Sequence, residues 1–230
     1  MLLTPLAVAT LVIFVGLLGT FAVAVRRRDG AAVVNGVVTI AVALVPVLVE
    51  VATAITIPAG SELTVWVGLA GLLHMVGMLG VYESVWWWDH LTHTVSAALV
   101  AALCYGGVLV VGGVSRGVAA GVVIGLTLAG GLCWELIELV ARALGRRYDI
   151  DPVLVYYGLD DTAFDLVFNL VGAGIIVAFD VDLFVSLAAQ YPDASGGVLI
   201  GATVIVVGAT VLMAVGLTLA EAWPEPGAER

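Results

Sequence analysis

Residues 2–28 read LLTPLAVATLVIFVGLLGTFAVAVRRR, an apolar run that ends in three arginines. A helix needs about 20 apolar residues to cross the hydrocarbon core of a bilayer, and this run is long enough. Its basic residues follow the apolar run instead of preceding it, which indicates a retained spanning helix and not a cleaved signal peptide. The stretch therefore predicts the first of several membrane spans.

The composition of the whole chain agrees with a membrane protein. Hydrophobic residues make up 62% of the 230 residues, charged residues make up 11%, and the mean hydropathy is +1.18. A soluble domain averages about 45–50% apolar and about 25% charged residues. The formal net charge of −10 offers no basic surface for a polyanion, so the sequence excludes a nucleic-acid partner. Cys104 and Cys133 stand in apolar stretches without metal-ligand spacing and are typical of small buried residues.

Hydropathy predicts an all-α fold, a polytopic transmembrane helical bundle of about seven spans in a single membrane domain, residues 1–230. Turn-forming residues separate the apolar runs, as at 58–61 and 192–197. The polar stretch 144–160 is predicted to be a connector, and 180–190 is predicted to form a short helix in the membrane interface. The predicted spans are about 2–25, 31–57, 63–82, 89–113, 117–143, 161–179 and 197–221.

The basic residues, all of which are arginine, predict the orientation of the bundle. With seven spans, Arg116 alone falls on one face of the membrane and the other arginines fall on the opposite face. Because positive residues favour the cytoplasmic side, the N-terminus is predicted to lie outside the cell membrane and the C-terminus inside. The arginines on the cytoplasmic face are Arg26, Arg27, Arg28, Arg142, Arg146, Arg147 and Arg230.

Seven spans with an external N-terminus are also the architecture of retinal proteins. Retinal is held through a Schiff base to a lysine, and the chain contains no lysine. The sequence therefore predicts that retinal is not a cofactor. The absence of lysine beside eight arginines also indicates a salt-adapted organism with GC-rich DNA.

Ionisable residues stand inside three of the predicted spans. Asp89 and His93 open the fourth span, Glu135 and Glu138 lie near the end of the fifth, and Asp165 lies near the start of the sixth. Spacings of three or four residues put each pair on one face of its helix. The fourth and sixth spans start at the membrane face where the fifth ends. The three sets are therefore predicted to meet near the cytoplasmic interface.

This cluster needs a partner for its negative charge. A charge costs about 2.5–3.5 kcal/mol at the centre of a span and less near the interface, and neighbouring carboxylates repel one another. Either a divalent metal ion or bound protons would offset the charge. The first hypothesis is a membrane-embedded, metal-dependent hydrolase with Glu135 as the general base. Its metal ligands are Asp89, His93, Glu138 and Asp165.

Other polar residues near the cluster receive supporting roles in this hypothesis. Asn169, Asp161 and Arg142 hold the metal ligands in place. Arg142 also stands four residues after Glu138, a spacing that predicts an ion pair on the surface of one helix. His90 is interpreted as a surface residue of the membrane interface.

Two other hypotheses fit the same residues. In a proton- or cation-coupled transporter, the cluster would be the inner gate, and Glu50 and His74 would form a relay toward the outside. In a structural or regulatory membrane protein, the polar side chains would only clamp the helices together. For the hydrolase, the substrate would be the head group of a lipid or of an isoprenoid phosphate. Membrane lipids are the partners that the sequence indicates, and no pattern in it indicates an oligomeric state.

Three ordered motifs resemble a known family. The first is Trp88-Asp89 with His93, and the second is Trp134-Glu135-Leu136-Ile137-Glu138. The third is Asp161-Thr162-Ala163-Phe164-Asp165, followed by Gly172-Ala173. They are similar to motifs of the YjdF-type inner-membrane proteins of bacteria and archaea, distant relatives of VanZ-like proteins. The chain has Trp134 where that family has tyrosine.

The resemblance covers about residues 82–180, which we expect to be the core that carries the polar motifs. It implies a membrane bundle with a site at the three motifs, and it names no reaction. The more distant likeness to VanZ-like proteins, which are linked to tolerance of a lipoglycopeptide antibiotic, suggests lipids of the cell envelope by analogy.

Overall fold

The computed structural model describes residues 4–58, 60–149 and 152–222, the last three of them by backbone alone. All regular structure in these residues is helical, and seven of the helices are long and apolar enough to cross a membrane. The predicted fold class and number of spans are thus confirmed. The spanning helices are α1 (Pro5–Arg27), α2 (Gly30–Ala52), α3 (Glu62–Ser84), α4 (Trp88–Val111), α5 (Arg116–Tyr148), α6 (Leu159–Ala178) and α7 (Pro192–Ala222).

Capping side chains fix the first residues of four of these helices. Thr4, Asp29, Ser61 and Ser115 each accept a hydrogen bond from the backbone amide three residues further on, at the starts of α1, α2, α3 and α5. Such a cap satisfies an amide that has no partner within its own helix. Polar residues between apolar runs therefore mark the start of a helix as well as a break between helices.

Three of the predicted boundaries were wrong by five residues. Helix α2 ends at Ala52 and not at residue 57, and the other two differences are in α5 and α7. Helix α5 continues through the start of the predicted connector to Tyr148. Its 33 residues span about 50 Å, more than the roughly 30 Å of hydrocarbon, so it can continue into the polar interface. Helix α7 begins at Pro192, because proline is well suited to the first turn of a helix. The stretch 180–190, which was predicted to form a short helix, contains the helix Val185–Gln190.

Helix α3 contains a π-helical turn, Gly77–Val81, that its hydropathy does not reveal. Gly80 adopts a φ of 106°, which glycine tolerates and other residues rarely adopt. The turn brings the ring of Tyr82 back against Gly77, where a β-carbon would overlap it. The last turn of α3 is therefore placed by two glycines, and it carries Tyr82 toward the interior of the bundle.

Contacts between helix ends show that consecutive helices alternate in direction. Arg27, at the end of α1, donates to the carbonyl of Leu79 near the end of α3 at 2.8 Å. Asn35, near the start of α2, donates to the carbonyl of Val153 after α5 at 2.6 Å. We call this the arginine-rich end, because α1 and α5 both finish here in arginines. Among the described residues, it carries Arg26, Arg27, Arg28, Arg142, Arg146 and Arg147.

Helices α4, α5 and α6 form the main apolar core. Small residues such as Ala98, Ala101 and Ala173 are buried in it, which allows the close helix approach that membrane bundles use. At Gly172 the backbone of α6 comes so near α4 that a β-carbon would overlap the carbonyl of Thr94. This close contact packs α4 and α6 side by side.

Candidate functional site

Three polar side chains from α4 and α6 meet at the arginine-rich end. Nε2 of His93 lies 3.5 Å from Oδ1 of Asp165 and 3.7 Å from Oδ1 of Asp89. Asp89 and His93 are one turn apart on α4, and Asp165 is on the facing side of α6. The sequence predicts only that these residues lie at the same end of neighbouring helices. The structure shows that their side chains are in contact.

Helix α5 adds Glu135, which is only 2% exposed. Thr162 of α6 donates a hydrogen bond from Oγ1 to Oε2 of Glu135 at 2.7 Å. The other oxygen, Oε1, is buried and has no hydrogen-bond partner. Asp165 is also 2% exposed, and its Oδ1 likewise has no hydrogen-bond partner. Burying a polar group without a hydrogen bond costs about 1–3 kcal/mol, and a charged group costs more.

These side chains form two groups that could hold a metal ion. Within each group, one ligand atom per residue lies within 4.8 Å of the others. Imidazole and carboxylate ligands together are typical of divalent transition-metal sites. One group is His93, Glu135 and Asp165, and the other is Asp89, His90 and Asp165.

Glu138 lies outside both groups. Its Oε1 accepts a hydrogen bond from Nε1 of Trp134 at 2.9 Å, on the same face of α5. The prediction of an ion pair between Glu138 and Arg142 was wrong, because these two side chains do not pair among the described residues. The guanidinium of Arg142 instead lies over the ring of Tyr156, 5.3 Å from its centre, as in a cation–π contact. Trp134 is a nearby partner for Glu138, and Tyr156 gives Arg142 a planar surface in the connector after α5.

Asn169 and Asp161 lie on α6 on either side of Asp165. Asn169 is buried, and its amide nitrogen lies against Gly131 of α5, where a β-carbon would overlap it. Asp161 is in the first turn of α6 and is partly exposed. In the described structure, neither side chain forms a hydrogen bond to a member of the two groups.

His74 lies in a hydrogen-bonded chain near the arginine-rich end. Its Nδ1 is 3.0 Å from the hydroxyl of Tyr82, and its Nε2 is 3.2 Å from Oδ1 of Asn35. Glu50 is 15 residues beyond Asn35 on α2, about 22 Å along the helix axis. Within the described residues, no run of polar contacts joins Glu50 to His74. The structure thus brings His74 near the cluster and leaves Glu50 at the opposite end of the bundle.

His90 is a candidate site residue that the sequence analysis placed at the surface, and that interpretation was wrong. The imidazole is partly buried and stacks on Phe168, with ring centres 4.3 Å apart and planes 9° apart. Its Nδ1 is buried and has no hydrogen-bond partner. Phe164 and Phe168, four residues apart on α6, were the available signal for this contact, because they form an apolar strip at the depth of the cluster.

Comparison with known proteins shows the family of the chain and gives no relative of known activity. Residues 7–184 match the model of a family described as predicted membrane protein (DUF2238), which includes YjdF-like proteins. The match begins in α1, so it includes the first three spans as well as the segment with the motifs. No curated protein and no solved structure matches the sequence. The chain is therefore a multi-pass membrane protein that belongs to the DUF2238 family.

Proposed function

We propose that this protein is a membrane-embedded, metal-dependent hydrolase that acts on a phosphate-bearing lipid or isoprenoid head group at the cytoplasmic interface. One observation carries the proposal. Glu135 and Asp165 are each 2% exposed, each has a buried carboxylate oxygen without a hydrogen-bond partner, and both residues lie beside His93. Two buried carboxylate oxygens without donors are costly unless a metal ion or protons bind them, and the arrangement beside His93 favours the ion.

The distances support a shared ion better than a direct bond between His93 and Asp165. The 3.5 Å between Nε2 and Oδ1 is long for a hydrogen bond between these atoms. Two ligands that each lie about 2.0–2.1 Å from a tetrahedral ion are about 3.3–3.5 Å from each other. The His93–Asp165 spacing therefore matches two ligands on one ion.

The sequence analysis made Glu135 the general base and Glu138 a metal ligand. The geometry favours the opposite assignment for these two glutamates of α5. Glu135 joins His93 and Asp165 as a ligand, because one of its carboxylate oxygens lies within 4.8 Å of the ligand atoms of both. Glu138, three residues later on a nearby part of the helix surface, becomes the candidate general base. It accepts a hydrogen bond from Trp134 and is partly exposed near the arginine-rich end. A divalent ion at the site would activate a water molecule as nucleophile and polarise the phosphate.

The surroundings of the site support a head-group substrate. Trp86 is 81% exposed and Tyr148 is 63% exposed, as is typical of aromatic residues at a membrane interface. Exposed arginines in the last turn of α5 provide charge for a phosphate. In the proposed reaction, an oxygen of water bonds to phosphorus, the bond from phosphorus to the ester oxygen breaks, and the released alcohol takes up a proton. We also propose a distant relation to VanZ-like proteins, and envelope lipids are therefore the first substrates to test.

Metal analysis of three detergent-purified proteins tests the proposal. The wild type is compared with Asp165→Asn and with a matched control, Glu50→Gln, which makes an acid-to-amide change at the opposite end of α2. We expect a stoichiometric divalent ion in the wild type and in Glu50→Gln, and its loss in Asp165→Asn. If the wild type binds no divalent ion, even after dialysis against Zn²⁺, Mn²⁺ or Mg²⁺, the proposed function is wrong. If the wild type does bind a divalent ion, release of phosphate from vesicles that contain a polyprenyl phosphate tests the reaction itself.

A further inference from the structure

We infer that the site holds two divalent cations, with Asp165 bridging them. The second position is formed by Asp89, His90 and Asp165, beside the first at His93, Glu135 and Asp165. This inference rests on the proposed function, which requires only the first ion. It adds a specific substrate chemistry, because paired ions are typical of enzymes that displace groups at phosphorus.

The first argument is the shared residue. Each group contains three ligand atoms that lie within 4.8 Å of one another, and Asp165 belongs to both. A carboxylate has two oxygens and can bind a different ion with each. Two-metal sites hold their ions about 3.5–4 Å apart, a distance that a bridging carboxylate spans.

The second argument is the imidazole of His90. Stacking on Phe168 at 4.3 Å restrains the plane of the ring, and Phe164 and Trp86 lie around it with ring centres 5.8 and 6.2 Å away. Its Nδ1 is nevertheless buried without a hydrogen-bond partner. Buried polar atoms nearly always have a partner. A metal ion would give Nδ1 a partner, and one ring nitrogen of His90 lies within 4.8 Å of ligand atoms of Asp89 and Asp165.

The third argument is charge. The two groups together contain three carboxylates, from Asp89, Glu135 and Asp165, and two histidines. One divalent ion would leave these carboxylates with excess negative charge, which would repel a phosphate. Two divalent ions would offset the charge of these carboxylates and of the proposed base Glu138. An anionic head group is repelled less in the second case.

The number of bound ions and their magnetic coupling test this inference. The wild-type protein is stripped with a chelator in detergent, loaded with Mn²⁺ and examined by elemental analysis and electron paramagnetic resonance. We expect two Mn²⁺ per chain and the multiline spectrum of two exchange-coupled ions. One Mn²⁺ per chain with a six-line spectrum would overturn the second position and leave the proposed function intact. If neither Mn²⁺ nor another divalent ion binds, both are overturned.

Histidine variants show which residues hold each ion. His90→Gln is expected to keep one Mn²⁺ with an uncoupled six-line spectrum, whereas the control His74→Gln keeps two coupled ions. Two coupled ions in His90→Gln would overturn the inference. If His90→Gln cannot be purified as a folded protein, the stoichiometry and spectrum of the wild type decide the question without it.

Discussion

Thr162 of α6 donates a hydrogen bond to Oε2 of Glu135 on α5, with 2.7 Å between the two oxygens. The bond restrains the glutamate, whose other oxygen is buried without a hydrogen-bond partner, beside His93 and Asp165. Thr162 lies in the first turn of α6, where a hydroxyl would ordinarily interact with its own backbone. Its side chain instead joins two helices beside the candidate site.

Replacing Thr162 with valine removes this hydrogen bond and keeps the volume of the side chain. A hydrogen bond to a charged group contributes about 1.5–3 kcal/mol, and we expect Thr162→Val to lower the free energy of unfolding by about that amount. If an ion binds, its dissociation constant should rise about 10- to 100-fold, because Glu135 loses the group that orients it. Denaturation in detergent and metal titration measure the two effects.

The matched control for this prediction is Thr162→Ser. Serine retains the hydroxyl and should keep both stability and metal affinity near those of the wild type. Equal losses in the serine and valine variants would show that the methyl group matters and the hydrogen bond does not.

The second prediction concerns the π-helical turn of α3. A β-carbon at Gly77 overlaps the ring of Tyr82, so Gly77→Ala must displace the ring and break the 3.0 Å contact between Tyr82 and His74. We expect a loss of about 1–3 kcal/mol, the usual cost of forcing extra volume into a packed region. The change in the unfolding midpoint measures it.

Gly174→Ala is the control for Gly77→Ala. A β-carbon at Gly174 of α6 meets open space, and alanine favours a helix over glycine by roughly 0.5–1 kcal/mol. This variant should be at least as stable as the wild type. If Gly77→Ala is equally stable, the packing of Tyr82 on Gly77 is not required for the fold.

The helices could be predicted from the sequence, whereas the details of the site required the structure. Hydropathy predicts the length of a span but not how the helix is rotated about its own axis. Glu135 and Glu138 differ by about 60° around α5, and that difference decides that Glu135 reaches His93 while Glu138 reaches Trp134. His90 could not be distinguished from an interfacial residue, because its burial depends on the packing of α6 against α4.

Packing also decided two features that local patterns left open. The spacing of Glu138 and Arg142 allowed an ion pair, but Tyr156 in the connector provides a competing contact for the arginine. The π-helical turn was hidden, because Gly77 and Gly80 are ordinary residues in a membrane span and only tertiary contacts require them there. A single sequence therefore predicts how deep a residue lies in the membrane better than it predicts where the side chain points.

The third prediction concerns the opposite end of the bundle. Tyr105 is 1% exposed and donates to Oδ1 of Asp180 at 2.6 Å, and Asp180 also pairs with the exposed Arg116. We expect Tyr105→Phe to cost about 1.5–3 kcal/mol, because it removes a buried donor from a charged acceptor. Arg116→Gln should cost less than about 1 kcal/mol, because water and salt screen the exposed pair. The order of the two unfolding midpoints is the test, and the reverse order would show that the ion pair is the stronger link.

The last prediction uses pH. Tyr157 lies in the connector before α6 and donates a hydrogen bond to Oε1 of Glu83 at 2.9 Å. Burial, and after it the neighbouring Glu83, raises the pKa of the Tyr157 hydroxyl above its usual range. The folded state therefore favours the protonated hydroxyl. Its contribution to stability is complete below the unfolded pKa of about 10 and is lost as the pH rises through the raised pKa.

Unfolding of the wild type and Tyr157→Phe between pH 8 and 11.5 measures this contribution. The wild type should be the more stable protein at pH 8, and its advantage should shrink as the pH rises above about 10. The other tyrosines titrate in both proteins, so the difference between the two curves reports Tyr157. A constant difference across the range would mean that the contact with Glu83 does not depend on the protonation of this hydroxyl.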